Sequence, residues 1–358
     1  MPPQMQAWAN ALVGQQVSGY VLRSCIGHGG FGLVFEATSN ATGTKYAMKV
    51  LVPTGDPGSS AEFEREGVLL KHLVKCSSVI SLVESGSDTL MMQLGPTGHT
   101  VPVEIRFHVL VLASGDVGEL TADPDLLSKL DWAERLWLLR GAVKGVHQMH
   151  LRNVAHRDLK SANCLLVVQG SRSEVRVADL GRAKDFTHVP TLAPFDYLRG
   201  RGDFRFAAPE YLWMQGGSDG ISLRSADLYG LGSLFSELAT GHPMTALAIG
   251  SWQSALTSAQ IDLNNGIGRD LSILRPQFRR AIEEIGDELP KPIRQGGVEL
   301  LTQLCDPVPA ERHHRTKLGR KVVNQAGLEW LIRRVDLLGK QVSIKTATRT
   351  RYRKNRSA

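Results

Sequence analysis

The stretch VAHRDLKSANCLLV, Val154 to Val167, places His156, Arg157, Asp158, Lys160 and Asn163 within eight residues and then runs into an apolar segment suited to a buried strand. Charged groups beside a core are costly unless they are paired or bind something. Fifteen residues beyond Asn163 comes ADLG, with Asp179 followed by Leu180 and Gly181. One carboxylate can take or orient a hydroxyl proton. An asparagine oxygen and a second carboxylate can hold Mg2+ on a nucleotide, because this ion prefers hard oxygens and keeps its waters and phosphates, so that two protein groups suffice. The bland alternative is a polar loop whose Asp and Asn only make turns, and the order and spacing weigh against it.

Working back toward the N-terminus, IGHGGFGLV spaces Gly27, Gly29 and Gly32 as GxGxxG. A dinucleotide fold needs a helix directly after such a motif and an acid about 20 residues later. Here the pattern continues as strand, turn and strand, through GLVFEATSN and TKYAMKVLV. A glycine-rich hairpin with free amides can fold over a triphosphate, although a simple turn would also use glycine. Lys49 lies inside the second apolar strand. It is either an edge lysine reaching solvent or an ammonium aimed at phosphate and held by a carboxylate. Glu66 on the following segment is the suitable partner, with Glu62 one turn earlier as the alternative. Residues 60–74 read as a helix, with Phe63, Val68, Leu70 and Leu73 at loosely helical spacing.

Two strand-like runs, VISLVES and IRFHVLVLAS, flank a Gly- and Thr-rich segment near 86–104 that reads as a loop or an extended hairpin. After Gly115 the pattern turns helical. DWAERLWLLRGAVKGVHQMH sets Trp132, Leu136, Leu139, Val143 and Val146 on one stripe, with Asp131 as a plausible N-cap, and 223–240 gives another apolar helix. A small strand-rich region thus precedes a larger helical one, an α+β arrangement. With 358 residues, 42% of them hydrophobic, the chain can build a sizeable core. No apolar run reaches the roughly 18 residues of a membrane span. No export signal is evident in the first residues. The four cysteines form no CxxC pair, which points to reduced thiols in a cytoplasmic setting and against a zinc site.

Taken together, these segments resemble a eukaryotic-type (Hanks-type) protein kinase from about Tyr20 to Arg312. Gly27, Gly29 and Gly32 match its glycine-rich loop, AMKV its phosphate-binding lysine strand, HRDLKSAN its catalytic loop and DLG its usual DFG. AAPE (Ala207 to Glu210) matches the APE motif, Asp227 in SADLYGLGSLFSELATG the aspartate that braces the catalytic loop, and Arg312 the arginine that pairs with Glu210. The resemblance implies a two-lobed fold with an N-terminal extension (1–17), an N-lobe with one key helix (18–113), a C-lobe (114–318), and a C-terminal helix and basic tail (319–358). It implies Asp158 as catalytic base and Lys160 as the group steadying the γ-phosphoryl. Asn163 and Asp179 become ligands for Mg2+ or Mn2+, and Lys49 with Glu66 grips the phosphates of ATP. Val34 lines the nucleotide site, Leu112 is the gatekeeper, Ala113 the first hinge residue, and Glu119 lies near the ribose. The implied activity is transfer to Ser or Thr hydroxyls of protein substrates, less so to Tyr, with autophosphorylation. Lys160 is typical of Ser/Thr-directed members. Arg157 beside Asp158 implies switching by phosphorylation in the loop 182–207, which holds Thr187, Thr191 and Tyr197.

Two departures stand out. Leu180 replaces the usual Phe, and Asp203 stands where Ser/Thr members carry a threonine that hydrogen-bonds the catalytic groups. An ionised carboxylate cannot donate to Asp158, so either the local geometry differs or Arg205 compensates. A nucleotide-binding pseudokinase scaffold and a small-molecule phosphotransferase are the competing readings. The net charge of +7 equals the seven cations from Lys340 onward, where no acid occurs. The tail 340–358 is therefore either a solvated end or a contact for nucleic acid or an anionic surface.

Overall fold

A computed structural model describes residues 1–29, 32–53, 57–93, 99–170, 172–188, 203–315, 319, 322 and 326–354, with only the backbone at 57, 169 and 345–354. The chain divides into two compact units, Met1–Ser114 with Val167–Ser173, and Gly115–Leu166 with Glu174–Ala358.

The first unit opens with α1 (Pro3–Leu12) and the strands β1 (Gln16–Val17), β2 (Tyr20–His28), β3 (Gly32–Ser39) and β4 (Lys45–Leu51). Helix α2 (Pro57–His72) follows, then β5 (Leu82–Gln93) and β6 (Thr100–Val111). The antiparallel sheet has the order β1-β2-β3-β4-β6-β5. Side chains alternate between the two faces of a strand, and one face carries the core: Leu22, Leu33, Phe35, Met48, Val50, Phe107 and Val109. Helix α1 covers that core with Ala9 and Leu12, and Met5 and Trp8 pack at its margin. Met5, Trp8, Ala9 and Leu12 are spaced as one helical face, and a proline sits in the first turn, where its missing N–H costs nothing. The N-terminal extension is thus an integral layer of the sheet.

The opposite face of the sheet carries Lys49 and His108, directly paired across β4 and β6, and both reach α2. This changes the reading of α2. Val68, assigned to its apolar stripe, is 66% exposed, whereas Glu62 and Glu66 are buried. Phe63, Leu70 and Leu73 are buried as the spacing expects, and the inward face also admits the two carboxylates for polar partners. Of the segment 86–104, the described residues 86–93 and 100–104 are strands of an antiparallel pair, with β5 and β6 in register from Leu82↔Leu110 to Gln93↔Thr100, and 94–98 lie outside the described residues.

The second unit begins with β7 (Gly115–Asp116), α3 (Val117–Ala122), α4 (Pro124–Lys129) and α5 (Trp132–Leu151). Asp131 caps α5 in a reciprocal box with Glu134, satisfying two otherwise orphaned amides. Leu136, Leu139, Val143 and Val146 are buried as the stripe requires. Then come β8 (Val154–Ala155), the hairpin of β9 (Cys164–Gln169) and β10 (Arg172–Val177), and β11 (Lys184–Asp185), which pairs with β8. The remaining helices are α6 (Pro209–Leu212), α7 (Gly220–Thr240), α8 (Met244–Ile249), α9 (Trp252–Asn264), α10 (Arg275–Glu288), α11 (Arg294–Leu304) and α12 (Glu329–Lys354). Helix α7 is buried from Leu228 through Ala239, including Ser233, Ser236 and Glu237, and packs against α5, α8, α10 and α11. Helix α12 lies along α5, where Arg140 pairs with Asp336 and His147 accepts the Leu328 amide. The basic stretch from Lys340 is helical to Lys354 rather than an unstructured end. Its cations sit at the C-terminal end of the helix, where the dipole favours positive charge.

Candidate active site

In the first unit, Gly27 pairs with Val34, and Val34 with Lys49, across β2, β3 and β4. The Gly29 amide donates to the Gly32 carbonyl at 2.9 Å. The three glycines differ in what the fold asks of them. A Cβ on Gly32 would lie 2.2 Å from the Val50 carbonyl oxygen, so the strand pairing itself excludes a side chain there. A Cβ on Gly27 meets only Val34 at 3.8 Å, and one on Gly29 meets nothing within 4 Å. Lys49 donates to both carboxylate oxygens of Glu66, at 2.9 and 2.7 Å, and both residues are buried. Glu66, not Glu62, is therefore the lysine's partner. Leu112 and Ala113 follow the end of β6 and are half-buried.

In the second unit the catalytic-loop residues are held from α7. Asp227, 1% exposed, accepts the backbone amides of His156 and Arg157 at 2.8 Å each and the His150 ring nitrogen at 2.8 Å. Burial alone would raise its pKa, but the His150 hydrogen bond and charge prevail and hold it low. This anchor fixes Arg157 at φ 68, a conformation costly for a bulky side chain and kept only where the surroundings over-determine it. The strained turn sets the position of Asp158, and Asn163 clamps it by donating Nδ2 to the Asp158 carbonyl at 2.7 Å. Lys160 Nζ lies 3.5 Å and Arg182 Nε 3.8 Å from the Asp158 carboxylate. Burial raises the Asp158 pKa, with Lys160, His156 and Arg182 opposing and Asp179 adding to the rise. Asp179 is exposed in the left-handed region at φ 58, with the carbonyl of its neighbour Ala178 held by His156 at 2.9 Å. Leu180 is buried in the position after it.

The structure thus gathers Asp158, Lys160, Asn163 and Asp179 in one unit, and Val34, Lys49 and Glu66 in the other. Glu119 stands exposed on the first turn of α3, its amide capped by Asp116. Among the described residues, no hydrogen bond or ion pair joins its side chain to the Asp158 group. Asp203 forms a forked pair with Arg205, Nε to both carboxylate oxygens at 3.0 Å and Nη2 to Oδ2 at 2.5 Å. Burial works to raise its pKa, yet the Arg205 hydrogen bonds and charge, with Lys160 beyond, bring it down. The carboxylate is neutralised by Arg205, the second of the two arrangements the sequence allows. A small pocket beneath Asp158 is lined by Leu159, Asp203, Phe204, Phe206 and Tyr211. Below it, Arg312, fully buried, donates to both oxygens of Glu210 at 2.8 and 2.7 Å and lies over the Tyr229 ring.

The protein kinase domain family matches residues 20–321. The chain belongs to the protein kinase family. Its strand-rich first unit with α2 and its mainly helical second unit are those of the protein-kinase fold. The chain is similar to the serine/threonine-protein kinase PBL27 of Arabidopsis thaliana, 32% identical over 228 residues, which are 60% of this chain and 38% of that protein. It is 30% identical to beta-adrenergic receptor kinase 1 of Homo sapiens over 218 residues, 61% of this chain and 28% of that one. It is 28% identical to G protein-coupled receptor kinase 2 of Caenorhabditis elegans over 238 residues, 66% of this chain and 30% of that one. The kinase spans less than two fifths of the length of these relatives.

Of the loop hydroxyls, Thr187 is exposed and bonds Asp185 through its amide and its hydroxyl, whereas Thr191 and Tyr197 lie outside the described residues. The side chains of the basic tail from residue 345 onward lie outside them as well. No helix of the described chain is long and apolar enough to cross a membrane. Sequence reading missed Arg182, which directly follows the DLG that marks the site, and Glu237, which bonds Ser161 of the catalytic loop from within α7. A carboxylate on a helix buried all round gives no periodic signal.

Proposed function

We propose that this kinase transfers the γ-phosphoryl group of ATP to serine or threonine hydroxyls of protein substrates, itself included. The observation that carries the reading is the Asp158 carboxylate, buried yet flanked by Lys160 and Arg182, with Asn163 fixing its backbone. Burial raises the pKa of this base from its ordinary value, the direction that favours accepting a hydroxyl proton. The donor set fits a divalent cation. Asn163 commits its amide nitrogen to Asp158, which leaves Oδ1 for a metal, and Asp179 supplies a second hard oxygen, as Mg2+ or Mn2+ requires. Among the described residues no cluster of three His, Cys, Asp or Glu side chains could hold a metal alone, in keeping with a cation held mostly by phosphate. Gly27 and Gly29, which the packing does not require, leave room for phosphate to approach the backbone.

In this reading Mg-ATP supplies the phosphoryl group and the cation that offsets its charge. Asp158 takes the proton as the substrate oxygen bonds phosphorus, and Lys160 meets the charge on the transferring group. Lys49, held by Glu66, orients the phosphates, with Val34, Leu112, Ala113 and Glu119 lining the rest of the nucleotide site. The pairing of Asp203 with Arg205 offsets the carboxylate's repulsion from Asp158 and so removes that obstacle to catalysis, while Lys160 is what inclines the reading to serine and threonine. The four free cysteines accord with a reducing, cytoplasmic setting.

Incubation with radiolabelled ATP and Mg2+, followed by mapping of the modified residues, tests the proposal. Replacing Asp158→Asn is expected to reduce incorporation about 10²–10⁴-fold. Equal background incorporation by both proteins would leave the pseudokinase scaffold standing, and modification of tyrosine alone would overturn the substrate class. The basic segment 340–358 is proposed as a contact for nucleic acid or another polyanion. Unchanged filter binding and salt dependence after its removal would exclude that role.

A further inference from the structure

Helix α2 carries Glu66 to Lys49, and its inward face sets Glu62 and Glu66 among the buried Phe63, Leu69 and Leu70. Beside the Lys49–Glu66 pair stands His108, 4% exposed, which sequence reading passed over. It is aligned with Lys49 on β4 and with Ser85 on β5. Its Nε2 lies 3.0 Å from the Phe63 carbonyl oxygen, in the body of α2, and its Nδ1 lies 2.9 Å from Ser85 Oγ. A carbonyl only accepts, so Nε2 carries the proton and Nδ1 accepts from the serine hydroxyl. The Phe63 ring stacks on the imidazole at 4.0 Å with 9° between planes. Gly67 completes the seat, since a Cβ there would lie 2.6 Å from His108 Cε1. Glycine inside a helix is unfavourable, and here its missing side chain is what lets the ring reach the helix backbone.

We propose that His108 and Gly67 form a pin that positions α2 on the sheet, so that Glu66, adjacent to Gly67 and one turn beyond Phe63, meets Lys49. His108 acts as a positioning residue through Glu66 and does not itself touch the nucleotide. Burial pushes its pKa down to about 4, and the charge of Lys49 works in the same direction against the Phe63 hydrogen bond. The ring is therefore neutral at working pH, and the pin does not titrate there. A second cation beside Lys49 would compete for Glu66, and a neutral donor avoids this.

The inference rests on the proposed role of Lys49 and Glu66, so the test pairs nucleotide binding with a readout that needs no nucleotide. Wild type, Gly67→Ala, His108→Ala and the double variant are compared by Mg-ADP titration and by hydrogen exchange of the α2 amides. Gly67→Ala is expected to weaken Mg-ADP binding about tenfold or more and to speed exchange around Phe63–Leu70, although alanine is the better helix former. Adding His108→Ala removes the clash and is expected to recover much of both losses. His108→Gln, which keeps a donor near the Nε2 position, is expected to bind Mg-ADP better than His108→Ala. Unchanged binding and exchange in Gly67→Ala, or equal losses with and without His108, would overturn the pin. Failure of wild type to bind Mg-ADP would count against the kinase reading instead, and the exchange comparison would still decide the pin.

Discussion

Glu237 offers a measurement that isolates one buried group. It is 3% exposed on α7, accepts the Ser161 hydroxyl at Oε2, and leaves Oε1 buried without a hydrogen-bond partner. Burial raises its pKa from the ordinary 4.5 to about 7, against the Ser161 hydrogen bonds and the charge of Lys160. Asp203 adds to the rise, while Cys164 and Arg205 also face the carboxyl. A raised acid binds its proton more tightly in the folded state than in the unfolded one. Stability from this group is therefore complete below the unfolded value of 4.5 and is lost as pH rises to about 7. At about 1.4 kcal/mol per unit, the loss amounts to roughly 3 kcal/mol. Glu237→Gln keeps an acceptor for Ser161 and cannot ionise. Urea unfolding of both proteins at about pH 5 and about pH 7.5 should show the variant gaining roughly 2 kcal/mol on wild type between the two, because part of the loss has already occurred by about pH 5. Other titrating groups are common to both proteins and cancel in the difference. Parallel stability curves, agreeing within about 0.5 kcal/mol across that range, would refute a buried neutral carboxyl.

Other substitutions probe the remaining supports of the site. Arg312→Ala strands Glu210 in the core and should cost about 3–5 kcal/mol. Glu210→Ala added to it should cost little more, and strict additivity in thermal melts would show that the pair is not coupled. Gly32→Ala forces a Cβ onto the Val50 carbonyl and should lower the melting temperature. Gly29→Ala should leave the fold intact and weaken Mg-ATP binding; the reverse ranking would contradict the division between a packing glycine and a ligand glycine. Arg182→Gln removes a cation that favours ionised Asp158, so the acid limb of the kcat/KM profile should move to higher pH. A limb that stays in place would place Arg182 outside the electrostatics of the base.

How much was legible in the sequence follows from which signals are local. The stripe on α5 and the Asp131 cap are written in consecutive residues, and the structure reproduces them. Glu66 and Lys49 are separated by a turn and a helix start, yet residue type and spacing were enough to single them out. Helix α1 carries equally local signals, a proline start and one apolar face. On α2 the spacing places Phe63, Leu70 and Leu73 correctly, but Val68 is exposed and Glu62 and Glu66 take buried positions that hydrophobic spacing does not mark. His108 could not be found from its own neighbours. Its partners Phe63, Gly67 and Ser85 lie on α2 and β5, and only strand register brings them together.

The opening stretch places charges beside the core, and the structure shows where their cost is concentrated. Between Arg157 and Arg182 the chain holds two non-glycine residues at positive φ, Arg157 and Asp179, and a base whose pKa burial has raised. None of these stabilises the fold. They persist because the elements around them are over-determined: Asp227 holds two amides of the loop, Asn163 holds the Asp158 carbonyl, and His156 holds Ala178 ahead of Asp179. Every one of these bonds goes to a backbone atom, so these anchors place Asp158 and Asp179 through the main chain. Had the anchors bonded the carboxylates themselves, the loop would have been more stable and its acids less available. This arrangement, with buried polar groups gripping the main chain on either side of the two acids, is the physical reason the loop is read here as a working site and not as a set of turns.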